Sequence, residues 1–258
     1  LDRSPRASVI RIASYNIRKS IGRDRRRKPE RILGVLEELA ADVVVLQEAD
    51  RRFGRRRASS LPPSAIEADT DYQVIDLAIR PDSLGWHGNA VLVRRGVAII
   101  EAHRLELPAL EPRGAVIVEL EDRGLRFRVV GAHLSLLRRW RRLQAAAILK
   151  RLDELEGHLP TVIIGDFNDW SHDAPSLEAI SKRYSGHAPG KSYPAYRPVA
   201  PLDRLFHDDG IEVLAAGVHH SPLAGIASDH LPIWAEVAAR KPGEEAKTGH
   251  KSEGLLAG

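Results

Sequence analysis

The chain has 258 residues, of which 43% are hydrophobic and 29% charged, the ordinary balance of a soluble globular protein with a sizeable core. It has no cysteine, which excludes disulfides and thiolate metal sites, and no apolar run approaches the ~20 residues of a membrane span. The formal net charge is only +4, yet the cations fall in runs that attract polyanions: Arg23 to Lys28, Arg51 to Arg57, and Arg138 to Arg142.

Residues 10–15 read as a short strand ending at Asn16, and 29–40 as a helix with Ile32, Leu33, Leu36 and Leu39 on one face and Pro29 in its first turn. Residues 43–46 form an apolar strand that ends at Gln47-Glu48. A long polar loop over 51–68, with room for a short helix, leads to a strand over 72–79. Strands over 89–93 and 97–105 flank the turn at Arg94-Arg95-Gly96, and 115–120 pairs with 127–132 as a hairpin whose second strand ends at His133. Residues 136–155 are helical and 161–164 are a buried strand. The stretch 170–200 is rich in Pro, Ser and Gly, with a helix expected over 175–182. Strands over 202–206, 212–218 and 231–237 close the pattern.

Hairpins mixed with strand–helix–strand units predict an α/β fold built on a central pair of mixed sheets. One domain is expected over 8–239, and the Lys-, Glu- and Gly-rich stretch 240–258 reads as a disordered tail. The start, Leu1-Asp2-Arg3-Ser4-Pro5, has no apolar signal-peptide core, so a cytoplasmic setting is expected. It also lacks an initiator methionine, as a fragment or processed form would.

Polar side chains collect at strand ends. Asn16 ends the first strand, Glu48 follows the second, His133 ends a middle one, and Asp166 and Asn168 end another. Asp203 lies in a later strand, and Asp229 with His230 opens the last. Residues two apart on an extended chain face the same side, so Asp166 and Asn168 can share a pocket, one orienting water and the other holding a phosphoryl oxygen. Each residue alone has an ordinary explanation: Asn16 as a turn residue, His133 as a satisfied buried histidine, Asp229 as a turn cap. Glu48 is harder to dismiss, because a carboxylate after Val43-Val44-Val45-Leu46-Gln47 needs a partner.

Seven segments in order, Ser14-Tyr15-Asn16-Ile17, Leu46-Gln47-Glu48, Gly88-Asn89-Ala90, Ala132-His133-Leu134, Gly165-Asp166-Phe167-Asn168, Leu202-Asp203-Arg204 and Ser228-Asp229-His230-Leu231-Pro232, resemble the endonuclease/exonuclease/phosphatase (DNase I-like) superfamily. The resemblance covers residues 10–237. It implies a four-layer α/β sandwich of two facing mixed β-sheets flanked by helices. It also implies Mg²⁺, or Mn²⁺, held by Glu48 with Asn16 and Asp229 close by, an oxygen-only set suited to a hard cation. His133 and Asn168 would meet the phosphate, Asp166 would orient or deprotonate water, and Asp203 would hold His230.

The implied activity is metal-dependent phosphodiester hydrolysis, nuclease-like on a polyanionic substrate such as DNA or RNA. Asn89, Arg51, Arg138 and Trp140 are the expected substrate contacts, because the basic runs follow catalytic strand ends and Trp86, His87 and Trp140 can stack. The alternative is a phospholipid or inositol-phosphate phosphodiesterase or phosphatase, since a basic rim also binds an anionic lipid surface. A non-catalytic phosphate or partner binder ranks lower, and no obligate protein partner is evident. Asn168 is followed by Asp169-Trp170 where inositol 5-phosphatases carry Arg, and His133 stands where abasic-site endonucleases carry Tyr.

Overall fold

The computed structural model describes residues 9–51, 58–171 and 173–240. In chain order it builds β1 (Ile10–Asn16), α1 (Pro29–Leu39), β2 (Val43–Gln47), α2 (Pro63–Asp69), β3 (Tyr72–Val74) and β4 (Ala90–Arg94). It continues with β5 (Ala98–Leu107), β6 (Arg113–Asp122), β7 (Leu125–His133), α3 (Arg138–Glu154), β8 (Thr161–Asp166), α4 (Glu178–Ser181), β9 (Ser185–His187) and β10 (Asp203–His207). The chain then returns through β11 (Ile211–Val218), α5 (Ala224–Ala227) and β12 (Ile233–Ala239).

Two six-stranded sheets result, in the orders β11-β12-β1-β2-β4-β3 and β5-β6-β7-β8-β10-β9. Each is antiparallel except at its centre, where β1 runs parallel to β2 and β7 parallel to β8. A parallel pair needs a crossover, and α1 and α3 supply the two. The sheets share a core in which Val43 and Val45 of β2 meet residues such as Val116, Val129 and Ile164 of the other sheet. The alternate residues Val44 and Leu46 face the other way, under Leu33 and Leu36 of α1. Period-two alternation thus splits one apolar run between two cores, which is why β2 is buried throughout. On the far side, Ile163 packs with Ile148 and Leu152 of α3, completing the four layers. Gly131 sets the sheet spacing: a Cβ there would lie 2.5 Å from Val45 Cγ1.

Several boundaries differ from the sequence reading. The strand expected over 72–79 stops at Val74, because β3 is an edge strand paired only with the short β4. Beyond it, Ile75 and Leu77 turn into the core between the sheets. The last strand starts at Ile233, past Pro232, which has no N–H to give a ladder. The helix expected over 175–182 shortens to α4, and a further strand, β9, Ser185-Gly186-His187, forms within the Pro-, Ser- and Gly-rich stretch. Of the tail expected over 240–258, residues 241–258 lie outside the described residues, as do the arginines of 52–57. Among the described residues no helix is long and apolar enough to cross a membrane.

Candidate active site

The ends of the parallel strands of both sheets meet at Asp166. Register places His133 of β7 and Asp203 of β10 on either side of it. Asp166 Oδ2 accepts a hydrogen bond from Asn16 Nδ2 at 2.9 Å, across from the other sheet, and lies 3.5 Å from His133 Nε2 and 3.8 Å from His230 Nε2. Asp166 Oδ1 accepts from the backbone N–H of Asn168 at 3.0 Å. Asn168 sits in the left-handed region at φ 51°, and its Nδ2 donates to Leu134 O at 2.9 Å, so one of its two amide hydrogens is already committed. Gly165 permits the close pairing of β7 and β8 here, since a Cβ would lie 2.0 Å from Ala132 O.

His230 Nδ1 is 2.9 Å from Asp203 Oδ2, which also accepts from Ser192 Oγ at 2.5 Å. All three side chains are buried. Burial disfavours the imidazolium, but Asp203, Asp166 and Asp229 outweigh it and push the pKa of His230 up to about 10. Burial, with help from the Asp203 charge, pushes Asp166 up to about 6, while His230 and Asn16 pull it down. The neighbouring charges together favour a carboxylate beside an imidazolium.

Backbone strain gathers at the same place. Arg18, Lys19 and Ser20 take φ 46°, 57° and 57°, and Glu48 takes 53°. Left-handed residues cost about 1–2 kcal/mol each, so the surroundings must impose them. Lys19 N donates to Glu48 O at 3.0 Å, and Ser20 Oγ is tied to Ser60. The result aims two cations at two carboxylates: Lys19 Nζ contacts Glu48 Oε2, and Arg18 Nε lies 3.2 Å from Asp229 Oδ2.

Comparison with known proteins follows this geometry. The sequence model described as the endonuclease/exonuclease/phosphatase family matches residues 13–230. The chain belongs to that family. The uncharacterized protein YbhP of Escherichia coli (strain K12) is 27% identical over 253 residues, covering 88% of this chain and 96% of YbhP. The mannosyl-6-phosphatase Bt3783 of Bacteroides thetaiotaomicron superposes with a TM-score of 0.69 at 19% identity, covering 89% of this chain and 99% of that one. TDP2 of D. rerio, solved with a single-strand DNA product, gives 0.68 at 15% identity, covering 90% of this chain and 100% of that one. The two-sheet architecture is that of the DNase I-like members, and phosphate-ester hydrolysis is the chemistry that membership carries.

Family membership also implies a divalent metal. Asp166, Asp203 and His230 bring ligand atoms within 4.8 Å of one another. An imidazolium has no lone pair to give, so this buried trio is a poor metal site and a good proton-holding chain. Glu48, Asp229 and Asn16 offer oxygen donors, and the structure already sets a side-chain cation against each of the two carboxylates. That donor set fits a hard cation.

The expected substrate contacts fall in different places. Arg51, Glu48 and His133 line one cavity of about 570 Å³, together with Trp86 and His87. Asn89 is buried and its Nδ2 donates to Gly114 O at 2.8 Å, pinning the turn that carries Trp86 and His87 to the second sheet. Arg138 lies in a separate hollow with Arg139, Arg142 and Leu143, and Trp140 packs under the Arg139 guanidinium. Arg141, which the sequence puts in the same basic run, is buried instead, with its Nε donating to Ser176 Oγ at 2.8 Å. Sequence reasoning missed Ser192, Tyr193, Arg18 and Lys19. The two cations were legible only as charges after Asn16, because their aim depends on the left-handed turn.

Proposed function

We propose that the protein is a divalent-metal-dependent phosphodiesterase that acts on nucleic acid. The observation that carries this reading is the Asp166 carboxylate, with Asn16, His133 and His230 gathered at one oxygen. A metal held by Glu48, Asp229 and Asn16 would supply positive charge next to the phosphate. Asp166, ionised at neutral pH yet basic enough to accept a proton, orients the attacking water and takes its proton as the new P–O bond forms. His133, the second amide hydrogen of Asn168 and the His230 imidazolium meet the non-bridging oxygens, where charge builds. The ester bond to the leaving oxygen breaks, that oxygen takes a proton from solvent water as Asp166 returns its own to solvent, and the products are a phosphomonoester and an alcohol. Asp203 accepts from the Nδ1–H of His230 and fixes the ring, so that the second N–H of the imidazolium, at Nε2, faces the reaction.

The nucleic-acid assignment is supported by cations near the site: Arg51 in the cavity, Arg18 against Asp229, and Arg23 over the Tyr196 ring. A phospholipid or inositol phosphate is the second reading. It is favoured by the cavity wall, where Ile79 (63% exposed) and Pro112 offer apolar surface beside Arg51 and Arg80. Incubation with Mg²⁺ at near-physiological salt, with single-stranded DNA in one arm and anionic phospholipid vesicles in the other, separates the two. Cleavage of DNA but not lipid is expected, and lipid hydrolysis without DNA cleavage replaces the first reading with the second.

A further inference from the structure

On the His230 side of the site the rings form a path toward solvent. The Tyr193 ring centroid lies 4.8 Å from that of His230, and the Trp170 ring meets Tyr193 edge-on at 5.8 Å. Among the described residues, Trp170 and Tyr196 are the Trp, Tyr or Phe side chains that stand exposed, at 59% and 65%. The Arg23 guanidinium lies 5.1 Å from the Tyr196 ring centroid.

These rings are exposed but not loosely held. Arg204 Nη2 donates to the carbonyls of Asp169 and Ser171, on both sides of Trp170. The Asp169 carboxylate accepts from both Ser171 and Ser176. The Tyr193–Tyr196 segment is fastened to the catalytic residues themselves: Ser192 Oγ donates to Asp203, Ala195 N to Asp229 O at 2.7 Å, and Leu231 N to Ser192 O at 2.8 Å. Single exposed apolar residues are common and need no explanation. Here two exposed aromatics share a rigid frame with His230, Asp203 and Asp229, and a guanidinium lies over one of them. Rings fixed in advance lose little freedom when a planar group stacks on them.

We propose that Trp170, Tyr193 and Tyr196 form a stacking subsite for the nucleobase next to the scissile phosphate, which makes an unpaired strand the substrate class. This rests on the nucleic-acid reading of the same site. A base inside a duplex has no free face, whereas a single strand presents one beside each phosphate. Arg23 adds its charge where the ribose-phosphate backbone passes.

Fluorescence anisotropy in EDTA, where turnover is blocked, tests this with the full chain. The two probes are a labelled dT strand and an abasic strand of the same length and charge. The dT strand is expected to bind about tenfold more tightly, the size of one good base–aromatic stack. Trp170→Ala and Tyr196→Ala are each expected to shrink that ratio, and Trp170→Phe to restore most of it. A ratio below about threefold in the unaltered protein, or one that survives both alanine variants, overturns the subsite. Parallel assay of bis-p-nitrophenyl phosphate hydrolysis keeps the failures apart. Hydrolysis without a base-dependent ratio removes the subsite and leaves the phosphodiesterase, whereas a ratio that depends on Trp170 without hydrolysis does the reverse.

Discussion

Asn16 and Asp166 are 150 residues apart and joined by one hydrogen bond of 2.9 Å, from the end of β1 to the end of β8. It ties the first sheet to the second at the point where the site is built. If Asp166 holds the water, Asp166→Asn is expected to lower kcat about 10²–10⁴-fold, the usual worth of a positioned base. Asn16→Ala is expected to cost less, because it loosens Asp166 and removes one neutral oxygen of the proposed metal site while leaving Asp166 and the two acidic ligands in place. Steady-state rates on a small phosphodiester, with circular dichroism to check folding, distinguish the two.

The charge state of His230 sets a pH dependence. Asp166 must be ionised to accept a proton, so the rate is expected to rise as pH passes about 6. His230 must be cationic to meet the phosphate, so the rate is expected to fall as pH approaches about 10. The folded pKa of His230 lies above its ordinary 6.5, so the stability that protonated His230 contributes is full below pH 6.5 and is lost as pH climbs through about 10. Asp203→Asn leaves the effect of burial less opposed and is expected to bring the His230 pKa down sharply. An NMR titration of the imidazole in metal-free protein reads the shift directly.

If Glu48 holds the metal, Lys19 competes with it for the same carboxylate. Removing the ammonium in Lys19→Met is expected to tighten Mn²⁺ binding about twofold to fivefold, the worth of a partly exposed ion pair. Titration calorimetry checks this, and weaker Mn²⁺ binding in the variant would assign Lys19 a supporting role toward the metal instead.

At Gly131, β7 leaves no room for a side chain against Val45 of the other sheet. Gly131→Ala forces the new methyl against Val45 and is expected to destabilise the fold by about 1–3 kcal/mol. Urea denaturation measures it, and an unchanged midpoint would mean that the sheets have slack at this level.

Much of this molecule could be read from residue order. The strands carrying Asn16, Glu48, His133 and Asp166 are apolar runs that stop at a polar residue, and each stop marks a strand end at the site. The crossover helices α1 and α3 follow from their spacing. Other features depend on tertiary contacts and left no local trace. The three left-handed residues at Arg18–Ser20 are imposed by hydrogen bonds to Glu48 and Ser60, and nothing in Arg-Lys-Ser announces them. Arg141 looks like its neighbours Arg138, Arg139 and Arg142, and only the fold turns it inward toward Ser176 and Asp169. β9 is polar and short, and it becomes a strand because Phe206 and Leu205 of β10 need an edge partner.

The most direct test is release of p-nitrophenol from bis-p-nitrophenyl phosphate by the unaltered chain, by Glu48→Gln and by His230→Ala, each with Mg²⁺ and with EDTA. Turnover that requires Mg²⁺ and is largely abolished in both folded variants is the expected result. Turnover indifferent to EDTA, or near-normal rates in either variant, would contradict a metal-dependent centre built on these residues.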